Sequence, residues 1–511
     1  MMNFILKNKF YLLGLISLGI LYFLIRLPNL TLQPIFADEA IYIRWAQVMR
    51  AESTLRFLPL SDGKTPLFMW VMIPLFKIFS DPLLAGRMLS VFSGFLTFFG
   101  GVYLAWRHFN RSVALLVGFI LVIAPMIVFF DRMALVDSLL SAFSMWALIL
   151  SLELIKYQRI DLAMFLGYIM GGSLLTKPPG FFNLINLPTS LLIFDFSSRD
   201  RPKRLAKILG LWIIVFVITM VIYNVLRLGP GFSNLNSRNQ DYVFSPTILL
   251  YRPLDPFIPH FHDLLDWLPK ILTLPILFLS LGGIFWSIYK KNRLALVILF
   301  WSLIPLIIQM ALLRTFTARY ILFSFPPLLI LAGWFLSELL SFRNKWFLSL
   351  SAVVILMIQP LVFDYYLLID PSQANLPREE RRGYLEDWTA GYGLKQIASF
   401  LDLESKKSPI VVGTEGSFGT LPDGLQIYLD KNRQVSIVPG KATVSAELRS
   451  AANSHPTFFV ANKSRYPSIE EGLTKIMEFP KAVGNSIPPD AMLLFKVSPT
   501  IESSPTPKIH K

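Results

Sequence analysis

Asp38 and Glu39 stand side by side in the stretch PIFADEAIYIRWAQ (34–47), directly after an apolar run long enough to anchor in a membrane. A carboxylate within hydrogen-bond reach of a hydroxyl can take its proton as the oxygen attacks an electrophile, so the pair is a candidate general base. Two acids at a helix start also complement its positive end, and capping is the structural alternative. A second acidic cluster occurs in FFDRMALVDSLL, with Asp137 a residue or two inside another apolar run. An ionised side chain at that depth is costly without a partner, which makes Asp137 a functional candidate. Cations accompany the acids: Lys64 in DGKTPLFMW, Arg132, Lys177 in LLTKPPG, and Arg314 and Arg319 in RTFTARYILF. Singly, each is explicable as an interfacial residue with a snorkelling side chain. Together they describe a cradle for an anionic headgroup such as a lipid phosphate, with Arg suited to bidentate contacts and Lys acting as a point charge.

The elements that must hold these residues at one surface follow from composition and charge pattern. The 511 residues are 54% hydrophobic and 16% charged, with a mean hydropathy of +0.55, which is too apolar for a soluble chain of this length. About eleven apolar runs have the length needed to cross a bilayer. They lie near 9–27, 83–106, 112–130, 135–155, 160–175, 178–195, 206–227, 268–289, 294–313, 319–340 and 346–368. With the N-terminus cytoplasmic, every inside connection is basic, including SSRDRPKRLAK, YKKNR and FRNK, as the positive-inside rule requires. The net charge of +15 is therefore loop charge, and no basic face with interleaved aromatics points to nucleic acid. The opposite face collects DEA, DRMALVD, TKPPG and RTFTARY. Tyr42 and Trp45 follow the first acidic pair at helical spacing, so that stretch reads as an amphipathic helix on the outer surface.

The expected organisation is a membrane domain over 1–368, with outer loops at 28–82 and 228–267, and an exported α/β domain over 369–498. A disordered Pro- and Ser-rich tail over 499–511 completes the chain. In the second domain IVVGTEGSFG, QVSIVPG and PTFFVANKS read as strands, and GYGLKQIASFLDLE and TVSAELRSAAN as helices. Trp388, Tyr392, Glu415 and Asp423 in this domain are candidates for presenting an acceptor, against the alternative of conventional turns. PHFHDLLDW places His260, His262, Asp263 and Asp266 in an outer loop, where with Asp38 or Asp137 they form a candidate divalent-metal set; paired histidines in an aromatic loop are more often interfacial. Cysteine is absent, so disulfides and thiolate chemistry are excluded.

The ordered set ADEAIYIRWA, GKTPLFMW, GRMLSVFSG, RMALVDSLLSAFSMWAL, LLTKPPG and ARYILFSFPPLLIL resembles the polyprenyl-phosphate-dependent membrane glycosyltransferases of GT-C fold. The resemblance spans roughly residues 10–340 and is to glycosyltransferase family 39, which includes protein O-mannosyltransferases and aminoarabinose transferases. It implies transfer of a sugar from an undecaprenyl- or dolichyl-phosphate carrier to a lipid, glycan or protein hydroxyl on the exported side of the cell membrane. It also implies that Asp38, with Glu39 beside it, is the catalytic acid of the first outer loop and that Asp137 is the second important acid. Lys64 corresponds to a carrier-phosphate lysine, and Arg319 with Tyr320 to the family's Arg-Tyr pair. Thr65 replaces the first proline of the lysine motif, which leaves the loop shape open. Arg132, Tyr42, Lys177 and Arg314 are further candidate substrate contacts.

A phosphate leaving group needs no protonation but gains from fixed cations. One displacement would invert the anomeric centre, and a double displacement would need a carboxylate nucleophile about 5 Å from its partner acid; the resemblance implies inversion. Rival readings are a same-fold oligosaccharide ligase or lipid-modifying transferase, a non-catalytic scaffold, and a transporter or flippase. The last would place ionisable groups near mid-membrane in paired broken helices.

Overall fold

The structure is a computed structural model that describes residues 2–341, 346–440, 442–466, 471–484 and 488–499. The expected disordered tail lies, from residue 500 onward, outside the described residues. The principal helices in chain order are α1 (Met2–Arg26), α2 (Ala37–Ala51), α3 (Pro82–His108), α4 (Arg111–Ile123), α5 (Pro125–Asp131), α6 (Val136–Tyr157), α7 (Ile160–Thr176) and α8 (Arg201–Asn224). They continue with α9 (Asn234–Tyr242), α10 (Phe257–Ile271), α11 (Leu274–Tyr289), α12 (Arg293–Leu312), α13 (Phe325–Leu340), α14 (Trp346–Ile369), α15 (Leu394–Ser405), α16 (Asp423–Leu429) and α17 (Ala446–Ala451).

Prolines set the breaks, because each removes an N–H donor and biases the preceding residue away from helix. Pro125 opens α5 and bends it 59° from α4. At α10 and α11 the bend is 119°, with Thr273 at φ 70° and Pro275 in the first turn of α11. Lys177 is extended (φ −163°, ψ 143°) ahead of Pro178 and Pro179, and α7 stops there.

These breaks revise the expected spans. Among the described residues, six helices are long and apolar enough to cross a membrane, or up to eight if each bent pair is one span. The segment 178–195 is not a single helix. It runs as a 3-10 turn (Pro178–Phe181), a short α-helix (Phe182–Asn186) and a second 3-10 turn (Leu187–Ile193), since Pro178, Pro179 and Pro188 interrupt the ladder. α7 falls short of a full span, and α14 contributes an apolar stretch over Met357–Ile369.

The chain forms two compact units: a helical unit of Met1–Leu32, Val48–Ser80 and Leu84–Glu380, and a sheet unit of Gln33–Gln47, Asp81–Leu83 and Arg381–Lys511. The helical unit is organised around a buried ion pair. Arg26, at the end of α1, places Nε 2.8 Å from Asp131 Oδ2, and both side chains are almost fully buried. Its other nitrogens donate to the Leu121 and Val122 carbonyls at 3.2 and 2.9 Å. Those carbonyls lie at the end of α4, where Pro125 removes the donor that a continuous helix would supply. Ser138 donates to Asp131 Oδ1 at 2.8 Å, and the Tyr22 hydroxyl lies 3.1 Å from Oδ2. Gly94 on α3 admits this carboxylate: a Cβ there would sit 2.2 Å from its atoms.

In the sheet unit, β1 (Ile35–Phe36) pairs antiparallel with β2 (Ala390–Gly391). The second sheet contains β3 (Ile410–Thr414), β4 (Val435–Pro439), β5 (Thr457–Asn462), β6 (Leu473–Pro480) and β7 (Ala491–Val497) in the order β4-β3-β5-β7-β6. β3 pairs in parallel with β4 and β5, while β7 runs antiparallel to both β5 and β6. Strands β3 to β5 coincide with the three expected from sequence; β6 and β7 extend the sheet beyond that reading. A core of Phe459, Phe495, Tyr466, Leu448, Leu493 and Val497 fills one face.

Asp131→Ala should destabilise the protein by about 3–5 kcal/mol, because it strands the Arg26 charge in the core. Thermal unfolding in detergent checks this.

Candidate functional site

Lys177 occupies the break between α7 and the Pro178–Phe181 turn, and the structure brings four of the expected site residues together there. Asp137, in the first turn of α6, is 2% exposed, and its Oδ1 lies 2.5 Å from Lys177 Nζ. The same ammonium sits 4.3 Å from the centre of the Tyr320 ring, and the Arg319 guanidinium lies 5.2 Å from that ring. The buried acid therefore has the partner its depth demands, and the partner is a half-buried lysine at a helix terminus. Arg319 and Tyr320 belong to a 3-10 turn (Ala318–Ser324) whose first N–H donates to Glu380 Oε1 at 2.7 Å.

The cluster extends onto α9. The Tyr242 ring lies 6.5 Å from that of Tyr320 and nearly perpendicular to it. Arg238 donates to the Tyr242 hydroxyl at 3.0 Å, with its guanidinium over the ring. Backbone pairing of 242–244 with 312–314 fixes this end of α9, through Phe244 N–H to Leu312 O and Arg314 N–H to Tyr242 O, each 2.8 Å. Lys64 follows the tight turn at Gly63 (φ 63°), whose Cα faces Arg238 so closely that a Cβ would lie 2.4 Å from Arg238 Cβ. Lys64 Nζ is 3.5 Å from Asp62 Oδ2. In the helical unit Lys177, Arg319 and Arg238 are thus linked through Tyr320 and Tyr242, and Gly63 sets the chain that carries Lys64 beside Arg238. Arg238, Tyr242 and Glu380 were missed from sequence. The i,i+4 spacing of Arg238 and Tyr242 was a visible signal, whereas Glu380 reaches the site only through space.

Asp38 and Glu39 lie in the sheet unit. The segment 33–47, expected in a loop of the membrane domain, is built into this unit by the β1–β2 pairing and by Ala37 N–H to Thr389 O (3.0 Å). Arg44 to Asp430 (2.7 Å) and Gln47 Nε2 to Ile427 O (2.8 Å) add to it. Within α2 the acids divide. Glu39 is fully buried, and its Oε2 accepts the Phe36 N–H at 2.9 Å, the reciprocal half of a capping box. Asp38, one residue earlier, is half-buried in the first turn. Tyr42 and Trp45 are buried rather than on an exposed outer surface, with Trp45 6.0 Å from Phe418.

Other expected residues are placed elsewhere. Arg132 is buried, and its guanidinium donates to the Arg26, Pro28 and Asn29 carbonyls at 2.6, 3.0 and 3.1 Å, closing the end of α1. Arg314 is exposed, with its guanidinium 4.8 Å from the Phe244 ring. His260 and His262 are two residues apart on α10 and point to different sides. His260 is buried against Phe316 with Nδ1 2.8 Å from Met310 O, while His262 is exposed. Among the described residues no three His, Cys, Asp or Glu side chains group as metal ligands.

Residues 63–223 match the family described as dolichyl-phosphate-mannose-protein mannosyltransferase. A comparison with curated proteins by sequence returned no match. Among solved structures, the chain is similar to ArnT from Cupriavidus metallidurans in the apo state, with a TM-score of 0.58 and 16% identity over 96% of this chain and 98% of that one. The same protein bound to undecaprenyl phosphate matches with a TM-score of 0.56 and 16% identity over 95% and 98%. At this identity the likeness establishes the fold, and it is the GT-C fold that the sequence resemblance implies.

The division of the acidic pair is testable by stability. Glu39→Ala should cost about 1 kcal/mol through loss of the cap, while Glu39→Gln, which keeps an acceptor oxygen, should melt close to wild type.

Proposed function

We infer that this GT-C-fold membrane protein is a glycosyltransferase that moves a sugar from a polyprenyl-phosphate carrier to an acceptor hydroxyl on the exported side of the cell membrane. The observation that carries the reading is the Lys177 ammonium, held between the Asp137 carboxylate and the Tyr320 ring where two prolines break the helix ladder. Such a cation, with Arg319, Arg238 and Lys64 in the same unit, suits a phosphate whose negative charge grows as the glycosidic bond breaks. The family match over 63–223 and the fold shared with a protein solved with undecaprenyl phosphate support the same carrier chemistry.

In the proposed reaction, the acceptor oxygen forms a bond to C1 of the sugar as the C1–O bond to the carrier phosphate breaks. The hydroxyl proton goes to Asp38, and the electron pair leaves on the polyprenyl phosphate. A single displacement of this kind inverts the anomeric centre. Glu39 is assigned to holding the first turn of α2 rather than to proton transfer, because its carboxylate serves the Phe36 N–H. Asp137 is assigned to setting the position of Lys177.

Transfer from a panel of radiolabelled polyprenyl-phosphate sugars by the full-length protein in lipid tests the reading. Asp38→Asn should lower turnover by about a hundred- to ten-thousand-fold with carrier binding retained. Lys177→Ala should weaken binding of undecaprenyl phosphate about tenfold or more, the worth of one charge-assisted hydrogen bond. Undiminished transfer by Asp38→Asn would remove Asp38 as the base; no transfer from any carrier by wild type would overturn the reading.

A further inference from the structure

The parallel part of the large sheet has the order β4-β3-β5, so the chain leaves β3 toward one side for β4 and crosses back to the other for β5. Such a reversal opens a crevice at the carboxyl ends of the two diverging strands, where ligands of open α/β sheets bind. The residues at those ends here are Glu415, directly after β3, and Asn462, the last of β5. They belong to a buried polar network that the proposed chemistry does not use. Asn462 donates to Glu415 Oε1 at 2.9 Å. Lys481 donates to Asn462 Oδ1 at 2.5 Å and to Asp387 O at 2.9 Å, and its ammonium lies 2.9 Å from Asp490 Oδ2.

Two carboxylate oxygens of this network lack a hydrogen-bond partner: Asp490 Oδ2, which faces the Lys481 ammonium, and Glu415 Oε2. Glu415 Oε2 is buried and has no hydrogen-bond partner, although the side chain is only 1% exposed. Burial raises the Glu415 carboxyl above its ordinary value, Asn462 and Arg465 opposing the shift. An orphaned buried oxygen is costly unless something donates to it. Beside it, Arg465 is 43% exposed, lies 3.9 Å from Glu415 Oε1 and stacks 4.3 Å from the centre of the Trp388 ring. An acceptor and a guanidinium donor a few ångströms apart next to an indole match a ligand that donates and accepts through adjacent oxygens on one rigid ring.

We propose that the carboxyl ends of β3 and β5 form a sugar-binding subsite for the acceptor, with Glu415 Oε2 accepting a hydrogen bond from a ring hydroxyl and Arg465 donating to a neighbouring oxygen. Identifying the ligand as the acceptor rests on the glycosyl-transfer reading; the site itself does not. The subsite is continuous with the start of α2 inside the same unit. Thr420 donates to Trp388 O at 2.8 Å, and Thr389, the next residue, receives the Ala37 N–H one position before Asp38. A Cβ on Gly419 would lie 3.7 Å from both the Ala37 Cβ and the Trp388 ring.

Saturation-transfer NMR of the full-length protein in nanodiscs tests this, with glucose, galactose, mannose, N-acetylglucosamine and arabinose as probes. Wild type should give signal from at least one sugar, reduced about tenfold or more by Arg465→Ala and by Glu415→Gln and retained in Lys177→Ala. Arg465 is half exposed, so its variant folds even if the Glu415 variant does not, and thermal melting reports on both. No signal from any sugar with wild type overturns the proposal, as does equal signal in wild type and Arg465→Ala. Signal lost only in Lys177→Ala assigns sugar binding to the helical unit and also overturns it. If sugar binding behaves as expected while no carrier supports transfer, the subsite stands and the glycosyl-transfer reading fails. Transfer without sugar binding overturns the subsite and leaves the glycosyl-transfer reading standing.

Discussion

A charge taken into an apolar bundle has to be met there by a partner and by hydrogen bonds, and the helical unit depends on how it meets that demand at Asp131. Arg26 answers the carboxylate and, with its remaining nitrogens, the two carbonyls that the Pro125 break leaves open. The ion pair and the helix break therefore solve each other, since either alone would leave buried polar groups unsatisfied. Ser138 and Tyr22 complete the shell, and Gly94 supplies the space. Arg132 belongs to the same architecture through the carbonyls at the end of α1.

The candidate site repeats this logic with a different outcome. Asp137 is as buried as Asp131, but its partner is a lysine at a proline break, 17% exposed along its side chain and shared with an aromatic face. A guanidinium fixed by several acceptors is structural. An ammonium with one carboxylate partner and a partly open environment keeps donors available for a further anion. The contrast between Arg26 and Lys177 separates the stabilising charge cluster from the one suited to chemistry.

The sheet unit shows a similar division of labour on a smaller scale. Adjacent residues of one helix turn point about 100° apart, so Glu39 turns inward to cap the Phe36 N–H while Asp38 remains half-buried. The pairing of β1 with β2 makes the first turn of α2 part of the sheet unit, although it precedes that unit's main body by several hundred residues. The placement of Asp38 is thus a property of the C-terminal fold.

Much was legible in the sequence because its causes are local or periodic. Composition, apolar runs and basic connections identified a polytopic membrane protein; alternating β-branched runs located β3, β4 and β5. The chemical types of Asp38, Asp137 and Lys177 marked them as candidates, and the family resemblance added Tyr320. Their partners were not legible, because pairing between residues far apart in the chain leaves no spacing signal. Nothing in the sequence distinguishes Arg132, spent on backbone carbonyls, from Arg238, gathered with Lys64 and Tyr320. It likewise cannot say which of two adjacent carboxylates caps a helix, or that Glu380 and Glu415 are buried. The sequence by itself determined the class of protein and the inventory of charges, while proline breaks in the folded chain reset several of its expected spans. Only the tertiary structure decided which charges neutralise each other, because burial and pairing are set by packing in three dimensions.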